Sequence, residues 1–113
     1  MKDKETRKQS KLEKLGTNHP LCVICGEDDW RCLEEHHIPG QAYGEELATV
    51  CRNCHRKLSD DQYNHPEKLN PEPCLFERLG HFLLGLADLF ALLVERFRMI
   101  GHELIQAAKK NSR

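Results

Sequence analysis

The chain has 113 residues, 31% of them charged and 39% hydrophobic, with six cysteines, seven histidines and a formal net charge of -1. That length leaves room for one small domain with appendages and excludes a multidomain enzyme. An apolar core below roughly 70–80 residues seldom suffices alone, so the cysteines are expected to act as a staple, either as disulfides or on a metal.

Residues 1–19 carry a net charge of +3, and their only apolar side chains beyond Met1 are Leu12 and Leu15. They read as a basic arm with marginal helical tendency. The stretch has no apolar run of the signal-peptide or membrane-spanning kind, which predicts a cytoplasmic chain in a reducing compartment. Cysteine pairs there are more often metal ligands than disulfides.

Residues 20–74 carry a net charge of -6 and hold every cysteine and four of the seven histidines. Cys22-Val23-Ile24-Cys25 and Cys51-Arg52-Asn53-Cys54 form two CxxC pairs with 25 residues between them. This spacing lets both sulfurs of each pair turn onto one cation, and four thiolates close a tetrahedral structural zinc site. Between the pairs, residues 30–37 are expected to run as a strand that Pro39-Gly40 ends. Residues 47–50 form a second β-prone stretch, and a helix begins near His55. Cys51 and Cys54 then sit where strand gives way to helix, with His55 beside the zinc. Cys32 reads as a small buried thiol within the strand, and Cys74 likewise as a buried thiol. Gln41 and Tyr43 fall in the loop after the paired histidines, and His65 falls in a later loop as a remote ligand candidate.

Two prolines in Leu69-Asn70-Pro71-Glu72-Pro73 end this segment, since neither can continue a helix. The limits expected are a basic arm at 1–19, a zinc domain at 20–70 and a helical segment at 71–113. In the last, Leu79, Leu83, Leu86, Phe90, Leu93, Phe97, Ile100 and Leu104 recur in alternating steps of four and three, a heptad seam predicting an amphipathic helix over about 75–109. Gly85 and Gly101 could break it into a hairpin. His81 and His102, off the seam, are expected to be solvated. The apolar runs end at Asp88 and Glu95, too short to span a bilayer. The stripe needs cover, either its own domain or a second copy in a homodimer through residues 75–109, with contact at a membrane surface as the other use.

Glu35-His36-His37-Ile38-Pro39 followed by Cys51-Arg52-Asn53-Cys54-His55-Arg56-Lys57-Leu58, framed by the two CxxC pairs, resembles the HNH (ββα-metal) endonuclease family over about residues 20–65. The resemblance implies an α+β fold, a small zinc-stabilised ββα-metal domain before the long helix. It implies that His36 and His55 hold a catalytic divalent cation (Mg²⁺, Mn²⁺, Ni²⁺ or Zn²⁺) and that His37 is the general base of phosphodiester hydrolysis. Two positions depart from the family pattern. Glu46 stands where an asparagine usually orients the base, and Ser59 stands where many members have a further helix histidine, leaving Asp60 as a substitute cation ligand. Arg52, Arg56 and Lys57 cluster around His55 and are the expected nucleic-acid contacts, with DNA the expected substrate, RNA not excluded and little sequence preference. The departures keep two other readings open: a zinc module that binds nucleic acid or protein without catalysis, and an interaction protein acting through its helix.

Overall fold

The computed structural model describes residues 3–111. Its elements in chain order are α1 (Lys4–Leu15), a 3-10 turn (Trp30–Cys32), β1 (Leu33–His37), β2 (Leu47–Cys51), α2 (Arg52–Gln62) and α3 (Leu75–Asn111). The class is α+β, with one two-stranded antiparallel sheet and a long C-terminal helix.

The basic arm is more regular than its composition suggests. Asp3 caps α1 by accepting the Thr6 amide at 2.8 Å, and Gly16, at φ +76°, returns its own N–H to the Leu12 and Glu13 carbonyls. Capping at both ends satisfies backbone groups that would otherwise fray. Leu12 is buried, and α1 leans on the 3-10 turn.

Residues 30–32 are not strand, contrary to the sequence expectation. Asp29 accepts the Arg31 amide at 3.0 Å and pairs with its guanidinium at 2.8 Å, and this local cap favours a tight turn over extension. Cys32 therefore lies in the turn, half-buried, instead of within a strand. The strand begins one residue later and pairs in the register Leu33↔Cys51, Glu34↔Val50, Glu35↔Thr49, His36↔Ala48 and His37↔Leu47. One further rung runs from the Ile38 amide to the Glu46 carbonyl at 2.9 Å.

The core is small. Leu33, Val50 and Leu58 are fully buried, and Cys22, Ile24, Cys51, Cys54 and Leu89 complete the cluster. α2 contributes Leu58 and packs on both strands, while α3 contributes Leu89.

α3 is continuous over 37 residues, about 55 Å at 1.5 Å per residue. It breaks at neither Gly85 nor Gly101, so the hairpin alternative does not occur. At Gly85 the helix lies against the chain after β1, and a Cβ there would collide with the Ile38 carbonyl oxygen. At Gly101 a Cβ would meet nothing. Glu77 anchors the helix start by accepting the Leu69 amide at 2.7 Å and the Asn70 side-chain amide at 3.2 Å.

The face of α3 that meets the domain is not centred on the heptad seam, which reaches the core cluster only through Leu93. It is the line of His81, Gly85 and Leu89, all buried, with Asp88, Leu92 and Arg96 partly so. His81 is 6% exposed, correcting its expected solvation. Its ring stacks on Tyr43 at a centroid distance of 3.7 Å and an interplanar angle of 6°. Beside it, the His65 Nε2 lies 2.6 Å from Asp88 Oδ2. Cys74 is exposed, against expectation, because it precedes the first turn of α3 on the open side. No helix among the described residues is long and apolar enough to cross a membrane.

Gly85→Ala is expected to destabilise the protein by about 1–3 kcal/mol, because backbone must yield to the new Cβ. Gly101→Ala should instead be neutral or stabilising by up to about 1 kcal/mol. Thermal unfolding of the two variants checks this; equal melting points would show that α3 does not dock on Ile38.

Candidate metal centre and adjoining groove

Each CxxC pair is shaped by its own backbone. In the first, the Cys22 amide donates to the Glu27 carbonyl and Gly26 returns to the Cys22 carbonyl, both at 2.9 Å. Gly26 takes φ +79°, a left-handed conformation that costs glycine little. The Cys25 amide points at Cys22 Sγ at 3.5 Å. In the second, Cys51 ends β2 and caps α2, its Sγ accepting the Cys54 amide at 3.4 Å. The Val23 amide donates to the Thr49 carbonyl at 3.0 Å, fastening the first pair onto β2.

The result is a convergence of sulfur. The Sγ atoms of Cys22, Cys25, Cys51 and Cys54 all lie within 4.8 Å of one another, and Cys25 and Cys51 are 3.6 Å apart. Tetrahedral zinc with Zn–S bonds of about 2.3 Å would put its sulfurs about 3.8 Å apart. All six cysteines are free thiols, so the cluster is a donor set for a structural metal such as zinc. Cys32 and Cys74 stand outside it.

Protonation in this cluster is uneven. Burial works to raise the Cys22 thiol, but the amides of Cys25, Cys51 and Ile24 outweigh it and hold it near 7. Burial raises Cys25 and, far more, Cys54, with neighbouring thiols adding to the rise. Without a cation, the group therefore keeps protons at neutral pH that a metal must displace.

Against this centre lies a groove of about 1070 Å³. Cys25, Glu34 and Cys51 line it together with Arg52, His55, Arg56 and Asp60 of α2. His55 Nδ1 is 3.0 Å from Glu34 Oε1. The His55 ring also meets that of His36 edge-on, with centroids 5.2 Å apart and planes at 71°. His36 is 2% exposed. Burial lowers its pKa to about 4, and the neighbouring His55 and His37 push the same way, so the ring is neutral at pH 7.

The other expected site residues are less gathered. Asp60 shares the groove, but among the described residues only the four cysteines bring three or more ligand atoms within 4.8 Å. Lys57 is exposed on α2 and does not line the groove, whereas Arg52 and Arg56 do. His37 is half-buried at the end of β1, on the opposite strand face from His36. Its backbone carbonyl accepts the Gln62 side-chain amide at 3.2 Å, and among the described residues its ring makes no hydrogen bond. Glu46 is exposed, with its carboxylate against Gly44 and no hydrogen bond to His37. Of the two residues in the loop after the paired histidines, Tyr43 stacks on His81 and Gln41 is exposed.

Glu34 was not singled out from sequence. Its signal was there, because strand residues two apart share a face and Glu34 precedes His36 by two. Glu35, on the other face, carries the one buried side-chain oxygen among the described residues with no hydrogen-bond partner.

Zinc uptake by the metal-free chain at pH 7 should release roughly two or more protons per ion. Calorimetry in buffers of differing ionisation enthalpy measures this, and proton-free uptake would contradict the donor set described. Comparison with known proteins gives no family assignment: no family model, curated protein or solved structure matches the chain.

Proposed function

We propose that the chain is a zinc-stapled phosphodiester hydrolase of the ββα-metal (HNH) class, acting on DNA with little sequence preference. The observation that carries this reading is the Glu34–His55 pair lining a groove with Arg52 and Arg56, with the buried His36 ring edge-on behind His55. A carboxylate that accepts one ring N–H of a histidine fixes its tautomer and leaves the other nitrogen free as a ligand. Glu34 does this for His55 through Nδ1, leaving Nε2. His36, neutral at pH 7, is in the form that ligates.

These two imidazoles would hold a divalent cation, with Asp60 or water completing its shell. When bound, the cation would stabilise charge developing on the scissile phosphate. Arg52 and Arg56 hold backbone phosphates, a contact that is blind to sequence and weakens with salt. They work against local acidity, since Glu27, Glu34 and Asp60 line the same groove. His37, at the strand end, is the proposed base that takes a proton from the attacking water, and Glu46 is its proposed orienting group. The basic α1 segment adds non-specific attraction to the duplex.

A second reading is a zinc module that binds nucleic acid without cutting it. The positions of His37 and Glu46, off the groove lining and not joined to each other, favour it.

Nicking of supercoiled plasmid in Mg²⁺, Mn²⁺, Ni²⁺ or Zn²⁺ separates the two. Hydrolysis with at least one metal is expected. His37→Ala and His55→Ala should lower it roughly 10²–10⁴-fold, and Glu34→Gln about 10–100-fold, all with unchanged structural zinc. Absence of cleavage with every metal, alongside salt-sensitive DNA retention, would overturn hydrolysis in favour of binding.

A further inference from the structure

α3 has two faces: one docks on the domain, and the other is largely open, with only Leu93 of its seam packed against the core cluster and Leu86 half-buried. The line from His81 through Gly85 and Leu89 to Arg96 meets the domain. At 100° per residue the heptad seam lies about a third of a turn away. There Phe76, Leu83, Phe90, Phe97 and Leu104 are 84%, 64%, 56%, 67% and 65% exposed. Phe76 and Ala107 fall on the same heptad positions and lengthen the seam at both ends. We infer that this face pairs with α3 of a second copy in antiparallel orientation. The inference is independent of the proposed nuclease activity.

Four observations choose this occupant. The regular apolar repeat is a sustained heptad, the period of a helix partner, with exposed Leu84, Val94 and Ile105 widening the face beside it. The seam is symmetric under reversal: an antiparallel copy sets Leu79 against the partner's Leu104, Leu83 against the partner's Ile100 and Phe90 against the partner's Leu93. Every layer then meets apolar on apolar.

Charge also favours reversal. Residues 75–92 carry Glu77, Arg78 and Asp88, a net -1, whereas residues 93–110 carry Glu95, Arg96, Arg98, Glu103, Lys109 and Lys110, a net +2. Antiparallel pairing apposes the unlike halves and opposes the helix dipoles, whereas parallel pairing stacks like on like.

The flank of the seam supplies the fourth. Gly80, Ala87, Val94, Gly101 and Ala108 recur every seven residues beside it. In the same reversed register Gly80 falls two residues, about 3 Å along the axis, from the point opposite the partner's Gly101, so the backbones can approach closely on this flank. Neither glycine needs its missing Cβ for its own chain, since an added carbon would meet nothing within 4 Å at either. Area suffices as well. At the exposures above, Phe76, Phe90 and Phe97 alone offer on the order of 400 Å² per copy, about half of what each partner buries in a standard interface.

Sedimentation velocity of the full, zinc-loaded chain across a concentration series is expected to show a monomer–dimer equilibrium. Phe90→Glu with Phe97→Glu should abolish the dimer while circular dichroism keeps the helix. Gly101→Leu should leave thermal stability of the monomer unreduced yet weaken the dimer at least about tenfold. Orientation is read from introduced thiols and from Cys74, exposed at the foot of α3. In a mixture, Leu79→Cys and Leu104→Cys chains should form a heterodisulfide on mild oxidation, while neither variant alone should crosslink through its new thiol and the wild type should form no Cys74–Cys74 bond. A monomer at every concentration, a dimer indifferent to the Phe90/Phe97 change, or a ready wild-type Cys74 disulfide would each overturn the inference. Co-sedimentation of a monomer with anionic phospholipid vesicles would give the face to a lipid surface instead.

Discussion

Four sulfur atoms packed within 4.8 Å of one another, on two segments 25 residues apart in sequence, are the constraint on which the small domain rests. Only three aliphatic side chains of the sheet and helices are fully buried, too few to hold such a chain by burial alone. Thiolates repel one another and thiols attract only weakly, so a shared cation such as zinc would make the arrangement favourable. Cys51 carries most of the coupling. It is the last residue of β2, it stands opposite Leu33 in the sheet, and its sulfur caps α2. A metal bound at this one side chain would therefore set sheet register and helix entry together, and with them His55, three residues on from the start of α2.

A second set of contacts holds the loop after β1. Gly85 lets the helix lie against the Ile38 carbonyl, Tyr43 stacks on His81, and Gln62 reaches the carbonyl of His37. The His65–Asp88 pair fastens the chain after α2 to the same helix. The backbone that presents His37 is thus clamped from two helices. The long helix is part of the domain over its first half, and its second half extends beyond the domain with its apolar stripe uncovered.

Much of this was legible in the chain. Paired CxxC spacing is a demand of metal geometry and survives any surrounding sequence, so the convergence of Cys22, Cys25, Cys51 and Cys54 could be read directly. The strand–loop–strand–helix order followed from Pro39-Gly40 and from the position of the second pair. What escaped reading shares a cause. A heptad marks where apolar side chains recur, but it does not say which face the domain uses. Here the docking face is built from a histidine, a glycine and an aspartate because it must approach backbone and pair with polar groups, so it is less apolar than the face left open. Glu34 escaped because motif spacing drew attention to the paired histidines and away from the alternate strand position. The 3-10 turn escaped because Asp29 acts locally, through a cap that periodicity does not register.

The dependence of the fold on the metal is best tested on the full-length chain by zinc content together with chelation. Trp30, the only tryptophan, sits near the start of the segment between the two CxxC pairs and reports on its packing. About one zinc per chain is expected, and its removal should abolish the Trp30 tertiary signal and cooperative unfolding of residues 20–62, both returning with added zinc. A metal-free chain that keeps the same tertiary signal and melting transition would contradict the account.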